Sequence, residues 1–133
     1  MKIFSLLSIC FLLISCSVNS SHSLLSSDSL VIQFKPIPSG GLAKTVTTTE
    51  PNAIKKIVQF VEEGKSEEFQ CGTEGSLLFF NKETVKREIL FAFSKSGCQH
   101  FIWNDEQHVT HDVKMSNEAA AFLKGLAEGT NPY

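Results

Sequence analysis

Between residues 29 and 35 the side chains alternate. Leu30, Ile32 and Phe34 fall on one side, and Ser29, Val31, Gln33 and Lys35 on the other, the period-two signature of a half-buried strand. Pro36, Pro38, Gly40 and Gly41 break the pattern. The β-branched stretch from Lys44 to Thr48 predicts a second short strand. It leads into Thr49-Glu50-Pro51, a capping hydroxyl followed by an acid and a proline in the first turn, so a helix begins here. Ile54, Ile57, Val58 and Val61 then recur at i, i+3, i+4 and i+7 and form one apolar stripe, widened by Ala53 and Phe60. The helix runs to about Glu63, and Gly64 stops it.

After a polar loop from Gly64 to Gly75, the run Leu77 to Phe80 predicts a strand buried on both faces. Arg87 to Ser94 alternates, with Ile89, Phe91 and Phe93 on one side. Gln99 to Trp103 and His108 to Met115 predict two further strands, joined through Asn104-Asp105-Glu106-Gln107. Ser116 caps a closing helix with Glu118 in its first turn, a buried stripe of Ala119, Phe122, Leu123 and Leu126, and Gly129 as its end. The order is β(β)αββββα. It predicts an α+β fold: a small antiparallel sheet, made of a four-strand meander plus the N-terminal strand, with two helices on one face. Cystatin-like folds share the succession of strand, helix and meander. The Gln-x-Val-x-Gly inhibitory signature of cystatins is absent, so the analogy carries no function.

The first residues follow another logic. Met1-Lys2 is a minimal positive start, and Ile3 to Ile14 is a mostly apolar run of twelve residues. At about 1.5 Å per residue the run spans roughly 18 Å, short of the ~30 Å hydrocarbon layer. It therefore reads as the apolar region of a signal peptide. The order Leu13-Ile14-Ser15-Cys16 resembles the lipobox of bacterial lipoproteins. That resemblance implies cleavage before Cys16, diacylglycerylation of its thiol and acylation, commonly by palmitate, of its new amino group. Multiple acyl chains anchor a protein far more firmly than a single chain. Ser17 in place of Asp leans towards the outer membrane, on its periplasmic face. The alternative is an ordinary secretory signal cut near Ser20, which would leave a secreted protein. The expected organisation is a signal peptide over 1–15, a Ser-rich tether over 16–28 and one α+β domain over 29–133.

Composition narrows the field. Apolar residues make up 42% and charged residues 20% of 133, a globular balance with eleven Phe to fill a core. Twelve basic residues against fourteen acidic ones give a net charge of −2, which excludes an electrostatically driven nucleic-acid binder.

Cys71 and Cys98 are the two cysteines beyond the N-terminal segment, and in an exported chain such a pair reads as a disulfide. If Trp103 and His108 flank the hairpin loop, His100 faces His111 on the same sheet face as Cys98. Cys71, Cys98, His100 and His111 then form an outside candidate for a zinc-type metal site. His108 and His111, three apart on a strand, point to opposite faces. Trp103 alternates onto the Phe101 side and is expected in the core, although Trp103, Phe101 and Tyr133 could also form a binding patch. Glu62, Glu63, Glu67 and Glu68 read as a solvated face. No Gly-x-Ser-x-Gly and no phosphate-binding Gly loop is present.

No set of residues calls for a catalytic role or a cofactor. The expectation is a lipid-anchored, non-enzymatic binding module of the bacterial envelope, with the membrane as one partner and an envelope protein or glycan as another. Two alternatives stand beside it. Phe69-Gln70-Cys71 followed by an apolar strand resembles a segment of lipoprotein lysozyme inhibitors, which implies inhibition of an envelope-directed hydrolase. The Cys/His set implies metal binding.

Overall fold

The computed structural model describes residues 24–36 and 43–130. The lipobox, Cys16 and Tyr133 lie outside them. The elements in chain order are β1 (Ser29–Phe34), β2 (Lys44–Thr48), α1 (Pro51–Glu62), β3 (Lys65–Ser66), β4 (Gly75–Asn81), β5 (Thr84–Ala92), β6 (His100–Asn104), β7 (Thr110–Lys114) and α2 (Asn117–Glu128). The fold is α+β. Its antiparallel sheet has seven strands in the order β2-β1-β4-β5-β6-β7-β3, not four plus one. The added edge strand β3 is two exposed residues with no periodicity, held only by pairing with Lys114 and Val113. The first edge strand, β2, is the one the β-branched stretch predicts.

Alternation along each strand divides the sheet into two faces. Leu30, Ile32 and Phe34 of β1, Leu77 and Phe79 of β4, Ile89 and Phe91 of β5 and Phe101 of β6 share one face and are almost wholly buried. Ile54, Ile57, Val58, Phe60 and Val61 of α1 and Phe122, Leu123 and Leu126 of α2 complete the same core. Phe60 meets Phe122 at 5.6 Å between ring centres, so the helices touch over the sheet. Neither α1 nor α2 covers the second face. Leu78, Phe80, Leu90 and Ile102 there are only partly buried, so β4 is not covered on both sides as its continuous apolar run predicts.

The helix boundaries follow ordinary capping chemistry. Ser116 Oγ accepts a hydrogen bond from Ala119 N, and Gly129 closes α2 in the left-handed conformation. At α1 the expected hydroxyl cap is displaced. Glu50 holds the cap position without a side-chain bond, and Thr48 Oγ1 instead accepts from Glu50 N. Pro51 at the first turn still fixes the start. The β4–β5 turn is made by Lys82 and Glu83, both at positive φ (49° and 66°). Asp28 Oδ2 accepts from Lys82 N and Asn81 Nδ2 donates to Ser26 O, so residues 26–28 brace this turn. Leu24 is buried in the core, which fixes the last part of the Ser-rich segment against the domain.

Candidate functional site

Cys71 and Cys98 are joined by a disulfide that closes a 27-residue separation. It clamps the chain between β3 and β4 against the turn before β6. This loop folds over one end of the second face. Phe69 N donates to Asp112 Oδ2, and the Phe69 ring lies 4.8 Å from the His100 ring. His100 beneath it is 1% exposed. Its Nδ1 bonds Asp112 Oδ1 at 2.8 Å. A carboxylate only accepts, so Nδ1 donates this bond. Nε2 is sealed from solvent and has no partner among the described residues. An imidazole closed in this way pins the loop to the sheet.

The β6–β7 register differs from the expected one. His100 pairs with Lys114 and Trp103 with His111, because the loop runs from Asp105 to Val109 rather than closing at His108. The displacement is an odd number of residues, so it moves His111 to the helix side of the sheet. Cys71, Cys98 and His100 therefore lie at one end of the second face while His111 lies on the other. Among the described residues no cluster of three or more His, Cys, Asp or Glu is placed to hold a metal ion.

Asp105 sets this loop. Its Oδ1 accepts from Gln107 N and Val109 N, and its Oδ2 bonds His111 Nε2 at 2.8 Å. The His111 bond, followed by the backbone ones, holds the Asp105 carboxyl below its ordinary range. His111 in turn stacks on Trp103, at 5.2 Å and 14° between planes. Trp103 packs partly buried against the core, on the Phe101 side as its alternation predicts. Glu62, Glu63, Glu67 and Glu68 are all exposed.

Glu74 ties the other side of the disulfide loop to β5. Its Oε2 accepts from Phe93 N at 2.6 Å and Ser94 N at 2.9 Å, and its Oε1 accepts from Ser94 Oγ. Burial alone would raise this carboxyl, but the Ser94 and Phe93 hydrogen bonds outweigh it and hold the group below its ordinary value. The carboxylate therefore stabilises the fold above the ordinary carboxylate range, and that contribution is lost as pH falls through the lowered value. Glu74→Gln is expected to cost about 1 kcal/mol at pH 7. Urea unfolding between pH 3 and pH 7 should give a smaller difference from wild type at the acid end.

At the opposite end of the β5–β6 pair the two strands part. The ladder between them holds only Leu90↔Ile102, Phe91↔Phe101 and Ala92↔His100. Strand β5 nevertheless extends back to Thr84, paired only with β4, and β6 extends on to Asn104, paired only with β7. The gap is a cleft of about 580 Å³, within the size of small-ligand sites. Lys86, Arg87, Glu88 and Leu90 line one wall, and Ile102, Trp103, Asn104, Asp105 and Glu106 the other. Sequence reasoning missed this cleft. Its one signal was Arg87, a cation in the same alternating register as Ile89, Phe91 and Phe93.

Among the described residues, the fold and these features define a disulfide-stapled α+β domain with a helix-covered face, a clamped loop and an open cleft between β5 and β6. Comparison with known proteins finds no family model, no curated protein and no solved structure that matches the chain.

Proposed function

We propose that the protein is a lipid-anchored, non-enzymatic binding module of the bacterial envelope. The cleft between β5 and β6 carries this reading. It is open to solvent, lined by apolar, aromatic and charged side chains together, and sits on a domain stapled by its disulfide. The bonding of both strand histidines supports the same view. His100 holds Asp112 and His111 holds Asp105, and in each case the partner is a carboxylate that orders a loop. The lipobox-like Leu13-Ile14-Ser15-Cys16 supplies the anchor, and the outer membrane is the address it favours. An inhibitor of an envelope-directed hydrolase is a special case of the same module, with an enzyme as the bound partner.

The test uses the full chain in a bacterial host. Cells fed an alkyne analogue of palmitate should label the wild-type protein and leave Cys16→Ala unlabelled. A photo-crosslinking amino acid at Ile102, in the cleft, should give a discrete adduct in intact envelopes. The same group at Lys55, on the exposed side of α1, should give none. Equal labelling of Cys16→Ala would overturn the anchor, and equal adducts at both positions would overturn the cleft as the binding site.

A further inference from the structure

Arg87 is 9% exposed, yet its guanidinium makes no hydrogen bond or ion pair among the described residues. Most of the side chain is buried, but its nitrogens are not sealed from water, so the guanidinium stands unpaired and accessible at the end of a buried stem. Arg87 lines the β5–β6 cleft, and an anion entering there would supply the partner. The rest of the lining limits the charge of that anion. Two cations, Lys86 and Arg87, stand against three carboxylates, Glu88, Asp105 and Glu106, so the lining is net negative and an anion is favoured only where it sits directly on Arg87 and carries a single charge. A single carboxylate, held by the planar guanidinium fork, fits both conditions.

The walls of the cleft narrow the choice further. From Thr84 to Ile89 no ladder bond joins β5 to β6, and at Trp103 and Asn104 none joins β6 to β5. Main-chain groups alternate in direction along a strand, so Glu88 of β5 and Asn104 of β6 turn their N–H and C=O towards the gap. Such an opening accepts an added strand, with backbone hydrogen bonds giving affinity and flanking side chains giving selectivity. At about 580 Å³ the space takes a few residues of extended chain and no folded element.

We infer that the splayed β5–β6 cleft binds a short extended peptide segment through its main chain and through one carboxylate held by Arg87. This inference rests on the cleft being the binding site proposed above, and names what enters it. The carboxylate belongs either to the peptide C-terminus or to an acidic side chain.

The only tryptophan in the chain, Trp103, lines the cleft, so its fluorescence reports occupancy directly. The full chain in detergent micelles is presented with three immobilised libraries of random pentapeptides. One has free C-termini and no acidic residues, one has amidated C-termini and one internal Glu, and one is amidated and has no acid. Retained peptides should come from the first or second library, which decides the source of the carboxylate, and not from the third. Each should give a saturable change in Trp103 fluorescence. Arg87→Gln should weaken binding at least tenfold. Arg87→Lys, which keeps the charge but loses the fork, should fall between the two. A thermal unfolding midpoint close to wild type certifies each variant as folded. N-methylation of alternate peptide bonds should abolish binding in one of the two phases. Retention from all three libraries alike, or from none, would overturn the inference. So would a free sugar acid such as glucuronate that shifts Trp103 as strongly as any peptide. A specific envelope adduct at Ile102 together with such a result would leave the binding module standing and remove only the peptide.

Discussion

Phe91→Ala lowers the stability of the domain by about 3–5 kcal/mol, the range for emptying a buried aromatic position. Phe91 is fully buried. Its ring meets Phe34 edge-on at 5.6 Å and Phe93 at 6.0 Å, and its strand neighbours are Gly75 and Phe101. A loss of this size is comparable with the whole stability of many domains, about 5–15 kcal/mol. Urea titration should show the midpoint falling with little change in slope. The position has a second reading through Gly75. A Cβ built there would lie 2.3 Å from Phe91 Cζ and 2.4 Å from Gln33 O. Removing the Phe91 ring clears the first obstacle but not the second, because the Gln33 carbonyl is held in the β1–β4 ladder. The double variant Gly75→Ala/Phe91→Ala is therefore expected to be less stable than Phe91→Ala alone. Recovery in the double variant would mean that the ring is the sole constraint on Gly75.

Removal of the disulfide by Cys71→Ser/Cys98→Ser costs about 2–4 kcal/mol, by freeing the unfolded chain and by releasing the loop from the turn before β6. The two effects separate experimentally. Denaturant unfolding reports the total. Amide exchange at Phe69, whose N–H is bonded to Asp112, reports the loop. The expected result is faster exchange at Phe69 beyond what the global loss explains, because the ring that covers His100 is tied down within two residues of Cys71. Unchanged exchange at Phe69 would assign the loop's hold to Asp112 and Glu74 and leave the disulfide acting on the unfolded chain alone.

Features set by local chemistry were legible in the residues. The alternation of Leu30, Ile32 and Phe34, the stripe of α1, the Ser116 cap and the Gly129 stop all answer to neighbours a few positions away, and all are found where the pattern puts them. Features set by pairing were not. Lys65–Ser66 becomes a strand only because β7 offers it an edge. The β6–β7 register depends on Asp105 gathering Gln107, Val109 and His111 around itself, with His108 at a φ of 61°. A loop closed at His108 would have put every later residue of β7 on the other face. Of the site residues, Cys71 and Cys98 were readable as a pair. His111 was displaced by the register. Arg87 stood out only as a cation in an apolar register, and Ile102 and the cleft were hidden, since the point at which two strands separate has no signature in either strand alone.

The bracing of the β4–β5 turn by residues 26–28 has a consequence for where the protein can work. The chain enters the domain beside Lys82, and the cleft wall begins three residues later at Val85. With an acylated Cys16, the span to Leu24 is eight residues, at most roughly 29 Å when fully extended. Under the proposed acylation, the mouth of the cleft would be leashed to a shallow layer above the bilayer. A ligand far from that membrane would then lie beyond its range, and one attached to the same membrane would meet it at high effective concentration.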